Sequence, residues 1–285
     1  MTSQGVPTRR RARTSAEPAA CPARPVRRPS LLALPGALLL LYLALPLVAL
    51  IWRGARAETI RALADPFVLS ALSLTALTTA AALGIALVGG TPLAYLLARR
   101  RFPGKAVAET LVELPIALPP VIAGVALLMA FGRRGLFGPA LERLGITLPF
   151  TPIAVVMAQL FIAIPYYIRG ASLGFRSVPR EVEEAAAIDG ATAWQTHRHI
   201  TIPLAFPGIL SGLLLCGTRA AAEFGATLLF AGNMPGRTQT MTLAIMTAMD
   251  TNLTEALSLS VLLLAFSLVI VLTAWTLLGR RETLE

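Results

Sequence analysis

EEAAAIDGATAWQTHRHITIP, Glu183 to Pro203, is a charged, glycine-punctuated stretch set between two of the most apolar segments of the chain. Taken with the residues just before it, VPREVEEAAAIDG (Val178 to Gly190) reads as a short helix. Pro179 suits a first turn, Glu181, Glu183 and Glu184 complement the positive end of the helix dipole, and Gly190 suits a left-handed C-terminal cap. Thr192 and Gln195 then have capping-box spacing, so a second helix can start at once, run to about His199 and close at Pro203. Two short helices at a fixed angle, with small residues Ala185 and Ala186 on one face, form a knob that a socket on another protein could receive. By composition alone, an amphipathic loop lying at a membrane surface fits equally well.

The solvent around this stretch follows from composition. With 55% hydrophobic and only 14% charged residues, the chain carries several apolar runs of about 20 residues, the length a helix needs to cross a bilayer. Six spans are expected, at about 31–52, 68–97, 106–131, 153–168, 207–230 and 257–278. The fold class is therefore an all-α integral membrane protein. Residues 1–30 form a separate basic Pro/Arg-rich arm, read as disordered, ahead of a transmembrane domain over 31–285. The apolar run in 31–52, followed by ARA at Ala55 to Ala57, imitates a cleavable signal peptide, but it exceeds the 7 to 15 residues of such a core and is read as a retained helix.

Basic residues orient the spans. With the N-terminus inside, seventeen basic residues fall inside and seven outside, so both termini are expected in the cytoplasm of a bacterial cell membrane. Glu183 to Pro203 then belongs to the one long cytoplasmic loop, about 169–204. The net charge of +10 is concentrated in the arm and argues for membrane lipid rather than nucleic acid. Cys21 and Cys216 share no metal-ligand spacing with His197 and His199, which point about 200° apart on a helix, so no metal or cofactor is expected.

No outside loop is long enough to fold as a separate solute-binding domain, and no phosphate-cradling G-x-x-x-x-G-K-[ST] occurs. Solute capture and ATP hydrolysis would have to come from partners. A membrane-embedded hydrolase is excluded by the lack of a nucleophile and base or an H-E-x-x-H. An ion-coupled transporter would have to work through Glu113 or Glu223.

Glu184-Ala185-Ala186, three residues, Gly190, nine residues, then Ile200-Thr201-Ile202-Pro203 resembles the EAA loop of bacterial ABC importer permeases, with Ile202 where leucine is usual. The segment from Arg219 to Ile245 carries E-F-G-A-T, F-A-G-N and T-Q-T in order and is most similar to molybdate permeases; sulfate permeases share part of it. The resemblance implies a type I importer fold of six transmembrane helices and a permease homodimer. It also implies two copies of an ABC ATPase docked on Glu184, Ala185, Ala186 and Gly190, and a periplasmic or surface-tethered molybdate-binding protein. Tungstate is an expected second substrate, and sulfate, thiosulfate or another oxyanion the alternative.

Other residues have plainer readings. Arg219 and Glu223, four apart on one helical face inside span five, either pair structurally or line the anion route. Asn233, Thr238, Gln239 and Thr240 could offer donors near its outer mouth, or form an ordinary polar loop. His197 and His199 are expected at the surface, Glu109 and Glu113 beside Arg99 to Arg101. LPIALPP (Leu114 to Pro120) is expected to break span three.

Overall fold

The computed structural model describes residues 33–55, 57–62 and 64–282. In a bilayer each backbone N–H and C=O must be satisfied within the chain, and the described residues are accordingly helical. The helices are α1 (Ala33–Gly54), α2 (Ala57–Ala62), α3 (Pro66–Arg99), α4 (Lys105–Ala117), α5 (Pro120–Phe131) and α6 (Gly138–Arg143). They continue as α7 (Pro152–Ser177), α8 (Arg180–Ile188), α9 (Ala193–Ala221), α10 (Gly225–Ala231), α11 (Met241–Thr251) and α12 (Leu253–Glu282). Among the described residues, α1, α3, α7, α9 and α12 are long and apolar enough to cross a membrane, and α4 with α5 passes the same test only as a pair bent by 120°, a broken span or a re-entrant loop. Compact units meet within α1, at Pro46 and Leu47; the described part of the first is helix alone. The basic arm, residues 1–30, lies outside the described residues.

Prolines place the irregularities. Leu118 and Pro119 each precede a proline, and both take extended ψ angles (132° and 134°), which ends α4 and restarts the chain as α5. Pro92 and Pro203 behave differently, because each lies two residues beyond a π-helical turn, Ala86–Gly90 in α3 and His197–Thr201 in α9. Proline has no N–H for the ladder, and its ring clashes with the carbonyl four residues back. A wider turn moves that carbonyl aside, so both helices run on. Pro203 therefore does not close the second coupling helix, contrary to the sequence expectation: α9 runs from Ala193 to Ala221 without a break.

Two span boundaries also differ from the expectation. Span four extends to Ser177, which puts Arg169 and Arg176 in α7 and not in a loop. Span five ends at Ala221; Ala222 to Phe224 form a break, and Gly225 to Phe230 belong to α10.

Packing is tightest between α7 and α9. A Cβ built on Gly208 would lie 2.3 Å from Gly174 Cα, and one built on Gly170 would lie 2.5 Å from Gly212 Cα. Backbone thus meets backbone, the contact that lipid-embedded helices use because apolar side chains gain little by leaving lipid. Around this seam Tyr167, Ala171 and Phe175 of α7 pack with Ala205, Ile209 and Cys216 of α9. A second core joins α5, α7 and α10 through Ala123, Val155 and Phe230, and a third joins α3, α11 and α12 through Val68, Met241 and Leu259.

Candidate functional site: the knob between α7 and α9

The connection from α7 to α9 has the expected two-part form. Helix α8 begins at Arg180, with Pro179 as its N-cap instead of in its first turn, and carries Glu181 and Glu183 in that turn. At its end Gly190 has φ +90°, and the Ala191 N–H donates to the Ala186 carbonyl at 2.9 Å. Nothing lies within 4 Å of a Cβ added at Gly190, so backbone angle alone calls for glycine there. The capping box forms: the Gln195 N–H donates to Thr192 Oγ1 at 3.3 Å, and the Thr192 N–H donates to Gln195 Oε1 at 2.8 Å.

Two anchors hold this knob to the membrane helices. Arg99, at the end of α3, places Nη2 3.2 Å from Glu183 Oε1, and the same nitrogen donates to the Val178 carbonyl at 2.8 Å. Thr201 Oγ1 donates to Glu183 Oε1 at 2.7 Å. Glu183 is not among the sequence candidates, because its partner Arg99 lies 84 residues away in the chain. The second anchor is His197, whose ring centroid lies 4.7 Å from that of Tyr95 and 6.3 Å from that of Phe175. His197 is thus half-buried in an aromatic cluster and not at the surface as expected, because the π turn directs it toward α3 and α7. His199 is exposed, and no metal-holding group of residues occurs among the described residues.

The opposite face is open. Glu184, Ala185 and Gly190 are exposed and Ala186 is half-buried, while Ile188 and Trp194 stand 86% and 67% exposed. Apolar side chains presented so fully on a polar, rigidly anchored protrusion offer a contact surface for another protein.

Arg219 and Glu223 do come together, with Nη1 3.0 Å from Oε2, but not on one continuous helix. Glu223 lies in the break after α9, fully buried, and its Oε1 accepts the Ala226 N–H at 2.9 Å, so the carboxylate also caps α10. The remaining candidates turn inward. Thr238, Gln239 and Thr240 are buried, and Gln239 Nε2 and Asn233 Nδ2 both donate to Thr247 Oγ1, at 3.3 and 3.0 Å. Thr238 Oγ1 accepts the Met234 N–H at 3.1 Å, and Thr240 Oγ1 lies 2.9 Å from Thr242 Oγ1. These groups fasten the loop to α11. Glu109 pairs with Lys105 and Arg176, at 3.8 and 3.5 Å, and not with Arg99 to Arg101, since Arg99 is committed to Glu183.

Residues 90–281 match the protein family described as the binding-protein-dependent transport system inner membrane component. The molybdenum transport system permease protein ModB of Mycobacterium tuberculosis is 37% identical over 248 residues, which cover 87% of this chain and 94% of that protein. The chloroplastic sulfate permease 2 of Chlamydomonas reinhardtii is 36% identical over 202 residues, 71% of this chain and 55% of that one. In fold, the chain matches the crystal structure of a bacterial ABC transporter involved in the import of the acidic polysaccharide alginate, with a TM-score of 0.69 at 19% identity over 87% of this chain and 94% of that chain. The long apolar helices, the knob carrying its EAA sequence and these similarities lead to one conclusion: the chain belongs to the family of binding-protein-dependent transport system inner membrane components, the permease subunits of ABC importers.

Proposed function

We propose that this permease conducts molybdate, with tungstate as a second substrate, into the cytoplasm. The observation that carries the reading is its likeness to a molybdenum permease over nearly the whole length of both chains. The run E-F-G-A-T, F-A-G-N, T-Q-T from Glu223 to Thr240 supports it from the sequence side. Two copies of the chain form the route, two ATPase subunits supply hydrolysis, and a binding protein delivers the anion to the outer face. Both termini and the knob lie in the cytoplasm, where Glu184, Ala185, Ala186 and Gly190 meet the ATPase. The exposed Ile188 and Trp194 suit the same contact. Arg219 and Glu223 serve the fold first: the buried carboxylate caps α10 and pairs with the partly exposed Arg219. The sulfate permease likeness favours a second reading, sulfate import.

Co-purification tests the assembly. Solubilised permease should bring its ATPase with it, and molybdate-loaded binding protein should stimulate hydrolysis where sulfate-loaded protein does not. Equal stimulation by sulfate would favour the second reading, and ATPase activity indifferent to any binding protein would contradict both.

A further inference from the structure

A cavity of about 510 Å³ lies between α4 and α7 on the knob side of the molecule, where Glu109, Glu113, Arg169 and Arg176 share its wall with Thr110 and Ser172. A second cavity of about 380 Å³ adjoins it and shares Thr110, Glu113 and Arg169. At the mouth Arg176 and Lys105 both pair with Glu109. Further along α7 the charges of the wall are unpaired. Arg169 lies two helical turns before Arg176, about 10 Å further along α7, and is exposed to the cavity. Among the described residues no carboxylate comes within ion-pair distance of Arg169, and Glu113 likewise has no cationic partner.

An arginine in a membrane-crossing helix costs about 2.5 to 3.5 kcal/mol on insertion scales, and it is kept where it lines a wet cavity or pairs with something. Here the cavity is present, and among the described residues no carboxylate pairs with Arg169. The wall carries two arginines and two glutamates, so its side chains sum to near zero formal charge. That balance decides between possible occupants. A resident anionic lipid would be held best by uncompensated basic groups. A dianion in transit needs a cation to replace part of its hydration and a nearby negative charge that prevents a deep well, because an ion bound too tightly does not leave.

Building on the oxyanion reading above, we propose that Arg169 is a cationic station on the cytoplasmic half of the anion route, with Glu113 tuning its affinity. Neither residue belongs to the EAA loop or to the Glu223 to Thr240 run. Arg169 offers guanidinium N–H donors to two oxyanion oxygens at once, which a point charge does less well. Glu113, on the facing helix, weakens that hold enough for release.

The test uses proteoliposomes holding permease, ATPase and binding protein, with molybdate as the probe. Arg169→Gln should lower molybdate delivered per ATP hydrolysed by about tenfold, while hydrolysis stimulated by the loaded binding protein persists; Arg169→Lys should keep about half of the delivery. A merely structural role would lose hydrolysis and delivery together, in both variants, and that result overturns the proposal. So does unchanged delivery in Arg169→Gln, whether or not a co-purifying phospholipid is lost. Should Arg169→Gln fail to assemble, Glu113→Gln decides: it should import more slowly and retain more molybdate on the isolated complex, and wild-type values for both would overturn the assignment. Wild-type vesicles that import no molybdate would overturn the substrate reading itself, which separates that failure from this one.

Discussion

Glu183 Oε1 accepts from both Arg99, at 3.2 Å, and Thr201, at 2.7 Å, so one carboxylate ties α8 to the end of α3 and to the π turn of α9. The pair is shielded, with the Arg99 side chain only 9% exposed and that of Glu183 22%. Through it the knob is fixed to two membrane helices, and any push on the knob is passed to both.

Removing that carboxylate should therefore uncouple the knob without unfolding the permease. Glu183→Ala leaves the Arg99 guanidinium shielded and short of a partner, which we expect to cost about 2 kcal/mol. Heat-induced unfolding in detergent should shift downward by a few degrees, and ATP-driven uptake should fall further than the shift in stability accounts for. Uptake at the wild-type level would show that the anchor is dispensable.

Gly190 gives a sharper contrast. Its φ of +90° strains any β-branched residue by about 1 to 3 kcal/mol, while the open space around it admits a side chain. Gly190→Val should insert normally and lose ATPase association, and Gly190→Asn, which tolerates positive φ, should retain most of it. Equal behaviour of the two variants in a pull-down would remove the conformational explanation.

The seam between α7 and α9 should tolerate nothing larger than hydrogen. With 2.3 Å between a Cβ at Gly208 and Gly174 Cα, Gly208→Leu should destabilise by about 3 kcal/mol or more and give no monodisperse protein. Gly84→Leu in α3, where nothing lies within 4 Å of the added Cβ, is the control and should purify normally. A well-behaved Gly208→Leu protein would show that the helices separate at no great cost.

Orientation can be read from thiols. Cys216 is fully buried, so an impermeant maleimide reports on Cys21 alone. Intact cells should show no labelling, permeabilised cells should show it, and Cys21→Ser should abolish it. Labelling of intact cells would reverse the assigned topology.

Local chemistry made much of this legible in the sequence. The Thr192 and Gln195 box, the left-handed Gly190 and the break before Pro119 and Pro120 each depend on neighbours within five residues, and each forms where the residues indicate. What escaped depends on distance in the chain. Glu183 finds Arg99 84 residues away, and Gly170 and Gly174 meet Gly208 and Gly212 only because two helices pack back to back. The passage of α9 through Pro203 was hidden for another reason: the π turn before it moves the clashing carbonyl aside, and no residue type marks such a turn in the sequence. An arginine in an apolar run reads as the end of a span, whereas α7 carries Arg169 within its length beside a cavity. The inward turn of Thr238 to Thr240 rests on bonds to Met234, Thr242 and Thr247 that polar composition does not encode.

Substrate is the central claim, and competition uptake tests it most directly. A binding protein with donors spaced for the larger anion leaves some unpaired when sulfate binds, so discrimination between the anions should be strong. In proteoliposomes holding permease, ATPase and binding protein, ATP should drive molybdate import, excess tungstate should suppress it, and equal excess sulfate should leave most of it intact. Suppression by sulfate as complete as that by tungstate would contradict the molybdate assignment.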